Sequence, residues 1–304
     1  MTDVSFTSLT QWFPGHTVIP LWPSTRPVPD LAPRFSDRSS DEVVRDREVS
    51  HITRPEMVVV EPEHPNGIGL LVLPGGSYQR VAFDKEGIDT AIAMSEKGYT
   101  VFVMTYRMPG DGHAEGVHAP LADAQRAIRL IRAQVARWGL RHVGIVGFSA
   151  GGHAAGTLVV HHHQAVYPLQ DSADLLSPRP DFAALMYPVI SMDEEIGHDG
   201  SRYELMGDYP DTTTRQHYSL HTQVRPDTPP CFLMHASDDN AVKADNSLVF
   251  WQALKAHHVP TELHIFARGG HGFGLRGVQN LPAKHWPQLL DSWVQSLYAP
   301  ASVR

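Results

Sequence analysis

The sequence predicts an α/β protein built on a mostly parallel sheet with helices on both faces. Three observations carry this expectation. From Met57 onwards, short apolar runs alternate with stretches of helical period, the pattern of successive βαβ units. Two of the apolar runs, in "IGLLVLPGG" and "HVGIVG", end at glycines, where a strand can turn sharply. The 304 residues, 42% of them hydrophobic, are enough for one large core of this kind.

Composition narrows the function classes. Lys plus Arg number 25 against 33 Asp plus Glu, a formal net charge of −8. That balance argues against a nucleic-acid partner, which calls for a basic face. No apolar run approaches the roughly 18 residues that span a bilayer. The opening "MTDVSFTSLTQWFPGH" lacks the basic and continuous apolar regions of a secretory signal. The single cysteine, Cys231, leaves no internal disulfide to form. A cytoplasmic location without a membrane partner is therefore expected.

Residues 1–66 are rich in proline and polar residues. Proline fixes φ and removes a backbone donor, so an extended arm packed on the core is expected here. Trp12, Phe13, Leu21 and Trp22 would anchor it. The main domain is expected over 67–304. "MVVVE", "IGLLVLPGG" and "YTVFVMTYRM" read as strands, with the helical "EGIDTAIAMSEKG" stopping at Gly98 after Lys97. "PLADAQRAIRLIRAQVARWG" reads as a helix. Ala122, Ala127, Ile128 and Ile131 would face the sheet, with Arg126, Arg129, Arg132 and Arg137 largely solvated. "HVGIVG", "DFAALMYPVI", "PPCFLMHA" and "TELHIFA" are further strands, and helices follow in "NSLVFWQALKAHH" and "WPQLLDSWVQSLY". In open sheets of this type, sites form beyond the carboxyl ends of the strands.

The stretch "IVGFSAGGHAAG" holds a G-x-S-x-G pattern around Ser149. Chance alone supplies that pattern in roughly one chain of this length in ten. The context is what gives it weight: an apolar strand precedes the serine and an Ala-rich helix follows. A turn this sharp brings the residues two before and two after the serine together, hence Gly147 and Gly151. Ser149 then sits at a helix N-terminus that favours negative charge, with the Ala150 amide near a developing oxyanion. His153, one turn into the helix, is expected to pack beside the turn.

A serine nucleophile needs a base, and the base needs an orienting acid. In such folds the chain order is Ser…Asp…His. "CFLMHASDDNAV" supplies Asp238 and Asp239 directly after a strand, and "ELHIFARGGHGFG" supplies His271 after the next. Asp239 is favoured as the acid because it stands three residues before Val242, the common D-x-x-V spacing. Asp238 is expected to bond loop amides instead. His161, His162, His163, His257 and His258 are expected at the surface of helices. The run at 161–163 does not suggest a metal, because consecutive helical residues diverge by about 100°. No metal and no cofactor are expected. The second oxyanion donor is expected from "LPGGSYQR", with Gly76 or Ser77 offering its amide beside that of Ala150.

With these motifs in place, the chain resembles α/β-hydrolase-fold esterases close to bacterial acetylxylan and sugar-acetyl esterases. They lie in the broad neighbourhood of hormone-sensitive-lipase-like and prolyl-oligopeptidase-like hydrolases. The resemblance spans "IPLWPS", "LPGGSYQRVAFDKEG", "VFVMTYRMP", "LADAQRAIRLIR", "VGIVGFSAGGHAAG", "TPPCFLMHASDDNAV" and "ELHIFARGGHGFGL". It implies the α/β-hydrolase fold, nucleophile Ser149, acid Asp239, base His271 and oxyanion amides from Gly76, Ser77 and Ala150. It further implies acyl transfer on a small-molecule ester, an acetylated sugar first. A short-chain ester of another metabolite is the alternative.

Two positions depart from the pattern of these esterases. The oxyanion loop reads P-G-G-S rather than H-G-G-G or P-G-G-G, and Lys243 stands where a proline often follows the valine. A prolyl-oligopeptidase-like peptidase would need a propeller that 66 residues cannot build. A non-catalytic binder would usually have lost a member of the triad. Residues 191–228 fall where such hydrolases insert cap elements, with His198, Arg202 and Tyr203 as candidate pocket lining. Surface helix and loops are the alternative for that segment.

Overall fold

The computed structural model describes residues 8–41, 43–208 and 210–299. Its main sheet has eight strands. In spatial order these are β1 (Val18–Pro20), β4 (Glu56–Val60), β7 (Thr100–Met104), β5 (Ile68–Leu73), β8 (His142–Phe148), β9 (Ala183–Met186), β10 (Cys231–Ala236) and β11 (Thr261–Phe266). β1 pairs antiparallel with β4, and β4 with β7; every pair from β7 to β11 is parallel. β5, β7, β9 and β10 are buried at every position. Unbroken apolar runs are what a parallel strand covered on both faces requires.

A small antiparallel sheet joins β2 (Arg34–Asp37), β3 (Arg47–Ser50) and β6 (Val81–Ala82). Residues 1–7 of the expected arm lie outside the described residues. The rest of that stretch carries three short strands, β1 to β3, each of only three or four residues. Of the expected anchors, Leu21 and Trp22 are buried, while Trp12 and Phe13 rest half-buried against Phe83. The Trp22 indole N–H donates to the Asp123 carboxylate at 2.6 Å.

Eight α-helices accompany the strands among the described residues. They are α1 (Asp89–Ser95), α2 (Ala119–Ala133), α3 (Val135–Trp138), α4 (Ser149–His161), α5 (Asp199–Met206), α6 (Thr212–Tyr218), α7 (Asp245–Ala256) and α8 (Trp286–Tyr298). α2 packs on α4 and α1 packs on α8. The helix expected over 120–139 breaks at Gln134, whose φ of −122° and ψ of 19° leave the helical basin. Arg126 differs from expectation more sharply. It is 3% exposed, its guanidinium pairs with Asp171 and Asp174, and it donates to the Leu21 carbonyl at 2.9 Å. The proline-rich stretch and the turn at Ser172–Leu175 cover what a lone helix would show to water. No helix among the described residues is long and apolar enough to cross a membrane.

The topology fixes where a site can form. After β5 the chain goes to β7 on one side, and from β8 it moves through β9 to β11 on the other. β5 and β8 are adjacent, with Leu73 paired to Gly147 in register. Two loops therefore leave the sheet side by side at its carboxyl end, Pro74 onwards and Ser149 onwards. Such a switch point is where open α/β sheets leave a crevice.

Candidate active site

Ser149 takes φ of 53°, a left-handed conformation that costs a non-glycine residue about 1–3 kcal/mol. The surrounding backbone enforces it. A Cβ on Gly151 would lie 2.3 Å from the carbonyl oxygens of Leu73 and Pro74, and one on Gly147 2.4 Å from the Gly151 carbonyl. Only hydrogen fits at either position. The strain holds Ser149, 6% exposed, where β8 ends and α4 begins. Ala150 follows in the first turn of α4, where amides have no carbonyl partner within the helix.

The structure brings Ser149, His271 and Asp239 together. The Ser149 hydroxyl lies 2.8 Å from His271 Nε2, and His271 Nδ1 lies 2.7 Å from Asp239 Oδ2. A carboxylate only accepts, so Nδ1 carries the proton and Nε2 is left to accept from the serine. Asp239 is held by three further donors. Its Oδ1 accepts from the amides of Ala241 at 3.0 Å and Val242 at 2.9 Å, and His235 Nε2 lies 3.3 Å from Oδ2. Burial would raise the pKa of this carboxyl, but the hydrogen bonds from His235, His271 and Val242 outweigh it. The group is held well below the usual carboxylate range. Asp238 has a different set of partners, the amides of Gly269 at 2.9 Å and Gly270 at 2.7 Å.

The loop after β5 lies against this turn. A Cβ on Gly75 would be 2.9 Å from both Ser149 Cβ and the Phe148 carbonyl oxygen. The Pro74 carbonyl accepts from Tyr106 at 2.7 Å, and the Gly75 carbonyl accepts from the Ala82 amide at 2.9 Å. Gly76 has φ of 140°, and a Cβ there would collide with the Arg80 carbonyl. Among the described residues, neither the Gly76 nor the Ser77 amide donates to a protein acceptor. Ser77 and Tyr78 both have positive φ, at 57° and 62°. Tyr78 turns inward, and its hydroxyl meets His153 Nδ1 at 2.7 Å. The Tyr218 carbonyl takes the other ring nitrogen at 2.8 Å, so His153 bolts the loop to α4 from within the core.

Residues 191–228, of which Tyr209 is outside the described residues, bond to the loop that bears Asp239 and to the loop after β5. The start of this segment is fastened to the Asp239 loop and to the start of α7: Lys243 Nζ donates to the Glu195 carbonyl at 2.6 Å and the Asn246 side-chain amide to the Ile196 carbonyl at 2.7 Å. Further along, α5 reaches the loop after β5, where the Gln79 side-chain amide donates to the Glu204 carboxylate at 2.8 Å. His198 begins α5 between these ties, its Nδ1 accepting from the Ser201 amide at 3.1 Å. Nε2 therefore carries the ring proton. Burial and then the charge of His271 lower its pKa. Arg202 pairs with Asp199 on the same helix, and Tyr203 is exposed.

His161 departs from the surface position expected for it. It is buried and stacks on His217 with ring centroids 4.2 Å apart, because α6 covers that face of α4. Among the described residues, no group of three or more His, Cys, Asp or Glu is arranged to hold a metal ion. Two residues at the site carried no signal in the sequence: Glu86 and Tyr187, both buried and both bonded to loops that flank Ser149.

Comparison with known proteins agrees with this architecture. Residues 70–254 match the BD-FAE family. An acetylxylan esterase of Xylanibacter ruminicola is 31% identical over 256 residues, 81% of this chain and 49% of the relative. Endo-1,4-beta-xylanase B of Butyrivibrio fibrisolvens is 31% identical over 272 residues, 88% of this chain and 42% of the relative. The chain thus spans about half the length of these curated relatives. Among solved structures, the acetyl ester-xyloside bifunctional hydrolase of Caldicellulosiruptor lactoaceticus superposes with a TM-score of 0.73 at 34% identity. That likeness covers 93% of this chain and 96% of the other. Fold, topology and family match coincide: the chain belongs to the BD-FAE family of α/β-hydrolase-fold esterases.

Proposed function

We propose that the protein is a serine carboxylic-ester hydrolase that removes small acyl groups, acetyl first, from sugars or xylo-oligosaccharides. The observation that carries the reading is the line Ser149 Oγ, His271, Asp239, with contacts of 2.8 and 2.7 Å. The acetyl and xyloside chemistry in the names of two similar proteins supports the substrate class.

In this proposal His271 takes the Ser149 proton as the hydroxyl oxygen attacks the ester carbonyl. The tetrahedral oxyanion rests on amides of Ala150 and of Gly76 or Ser77. His271 passes the proton to the departing alcohol, leaving acetyl on Ser149. A water then gives its proton to His271 and attacks; the acid leaves, and the proton returns to Ser149. Asp239, kept anionic by its donors, holds the imidazole in the useful tautomer and stabilises its charged form. The segment 191–228 serves as a cap, with His198 Nε2–H offered to the alcohol part of the substrate. The division into an arm over 1–66 and a catalytic domain over 67–304 belongs to the same proposal, as does a cytoplasmic location.

The test is hydrolysis of p-nitrophenyl esters of rising chain length beside acetylated xylo-oligosaccharides. Release of acetate from the oligosaccharides, with activity falling beyond about four acyl carbons, is the expected result. Efficient cleavage of long acyl chains with no sugar deacetylation would overturn the substrate class and leave a general carboxylesterase.

A further inference from the structure

Glu86 lies in a π-helical turn, Phe83–Ile88, that leads into α1. Such turns insert one residue beyond the α repeat and often mark functional places. Here the turn buries a carboxylate at 4% exposure, with no cation bonded to it among the described residues. Its partners are instead two donors from opposite sides of the site. Oε2 accepts from the Gly75 amide at 2.7 Å, and Oε1 accepts from the Tyr187 hydroxyl at 2.8 Å. That hydroxyl in turn accepts from the Gly274 amide at 3.0 Å, three residues beyond His271. The Tyr187 ring stands edge-on to the His271 ring, 5.3 Å between centroids.

Tyr187 itself has φ of 37°, left-handed like Ser149, Ser77 and Tyr78. Burial, then the nearby Glu86, pushes its pKa well above the ordinary tyrosine value, so the hydroxyl stays a donor. One chain of hydrogen bonds therefore runs from the loop after β5, through Glu86 and Tyr187, to the loop that bears His271. Because the Gly75 amide is spent on Glu86, the peptide units of Gly76 and Ser77 are the ones left to face an oxyanion.

We propose that Glu86 and Tyr187 are paired positioning residues that set the oxyanion loop and the His271 loop at a fixed separation across Ser149. The inference rests on the ester-hydrolase reading. Neither residue touches the reacting atoms; both act through backbone amides. Donors that meet the oxyanion only in the transition state change kcat rather than KM when they are misplaced. A displacement of about 1 Å can cost on the order of 100-fold.

The test compares wild type, Tyr187→Phe, Glu86→Gln and the double variant with p-nitrophenyl acetate, alongside thermal melting of each. Tyr187→Phe removes the bridging hydroxyl. Glu86→Gln keeps the shape and one acceptor oxygen but not the carboxylate that takes both donors. The expected result is cooperative melting, KM within about twofold of wild type and kcat lower by about 10- to 100-fold. The double variant should lose no more than the worse single variant, because both break one chain. Unchanged kcat in the folded variants, a loss carried by KM, or multiplying losses would overturn the proposal. Unfolding of both single variants would also overturn it, since the chain would then hold the fold rather than the site. Labelling of Ser149 by a fluorophosphonate separates the two readings. Wild type that labels but leaves sugar acetates intact removes the substrate class alone. Wild type that neither labels nor cleaves any ester removes the hydrolase reading and this inference with it.

Discussion

Asp238 and Asp239 are neighbours in one loop and hold different halves of the same site. Asp238 takes the Gly269 and Gly270 amides at 2.9 and 2.7 Å, while Asp239 takes the His271 ring at 2.7 Å. The first carboxylate binds the backbone of the His271 loop and the second bonds the His271 ring. Asp239→Asn should therefore lower kcat by about 10³- to 10⁴-fold, because an amide can favour the wrong tautomer. Asp238→Asn keeps an acceptor oxygen for both amides and should cost less than about tenfold. Kinetics of the two variants on one acetyl ester check this, and a larger loss in the Asp238 variant would exchange the assignments.

The glycines around Ser149 are expected to be intolerant of a single methyl. At Gly151 the added carbon would stand 2.3 Å from two carbonyl oxygens, which are backbone and cannot swing aside. Gly151→Ala should lower the melting temperature and reduce Ser149 labelling by a fluorophosphonate at least about tenfold. Gly110, where an added Cβ would meet nothing within 4 Å, is the control and should change neither.

Acid should destabilise the fold before it reaches the carboxylates. Burial pushes His153 from 6.5 down to about 4, against the pull of the Tyr218 carbonyl. His161 is likewise pushed down to about 4, by burial and, after the opposing His217 carbonyl, by neighbouring histidines and Arg225. Between those values the unfolded chain binds protons that the folded chain refuses, so stability falls as pH drops from about 6.5 towards 4. Above about pH 7 neither group contributes. His161→Gln should melt lower at pH 7, having lost the stacked ring, yet show a slope with pH shallower by about one proton. An unchanged slope in calorimetric melts between pH 7 and 4.5 would contradict this.

His198 should separate the alcohol from the acyl part of the substrate. Its Nδ1 is committed to the Ser201 amide, which leaves Nε2–H as a donor on the segment that is tied to the Asp239 loop and to the loop after β5. His198→Ala should reduce kcat/KM on acetylated xylo-oligosaccharides at least about fivefold more than on p-nitrophenyl acetate, a loss typical of one hydrogen bond. Equal losses on the two esters would place its role in structure.

The strands, and the meeting of Ser149, Asp239 and His271, were legible for one reason. Each candidate residue follows an apolar run, and the parallel topology carries every such run to the same sheet edge. Ser149, Asp239 and His271 needed only chain order to be brought together. Glu86 and Tyr187 were not legible, because their importance lies in contacts between loops that sequence spacing does not encode. Arg126 and His161 were misread because helical period tells which face meets the sheet. It does not tell that the proline-rich stretch and α6 cover the other faces. The strands of residues 18–50 were hidden for a related reason: runs of three or four residues, mostly polar in β2 and β3, are too short to give a readable alternation.

The central claim is that Ser149 carries the acyl group, and acetate release from acetylated xylo-oligosaccharides by wild type and Ser149→Ala measures it directly. The account predicts steady release by wild type and a fall of at least about 10³-fold in a variant that melts like wild type. Release by Ser149→Ala at the wild-type rate would contradict it.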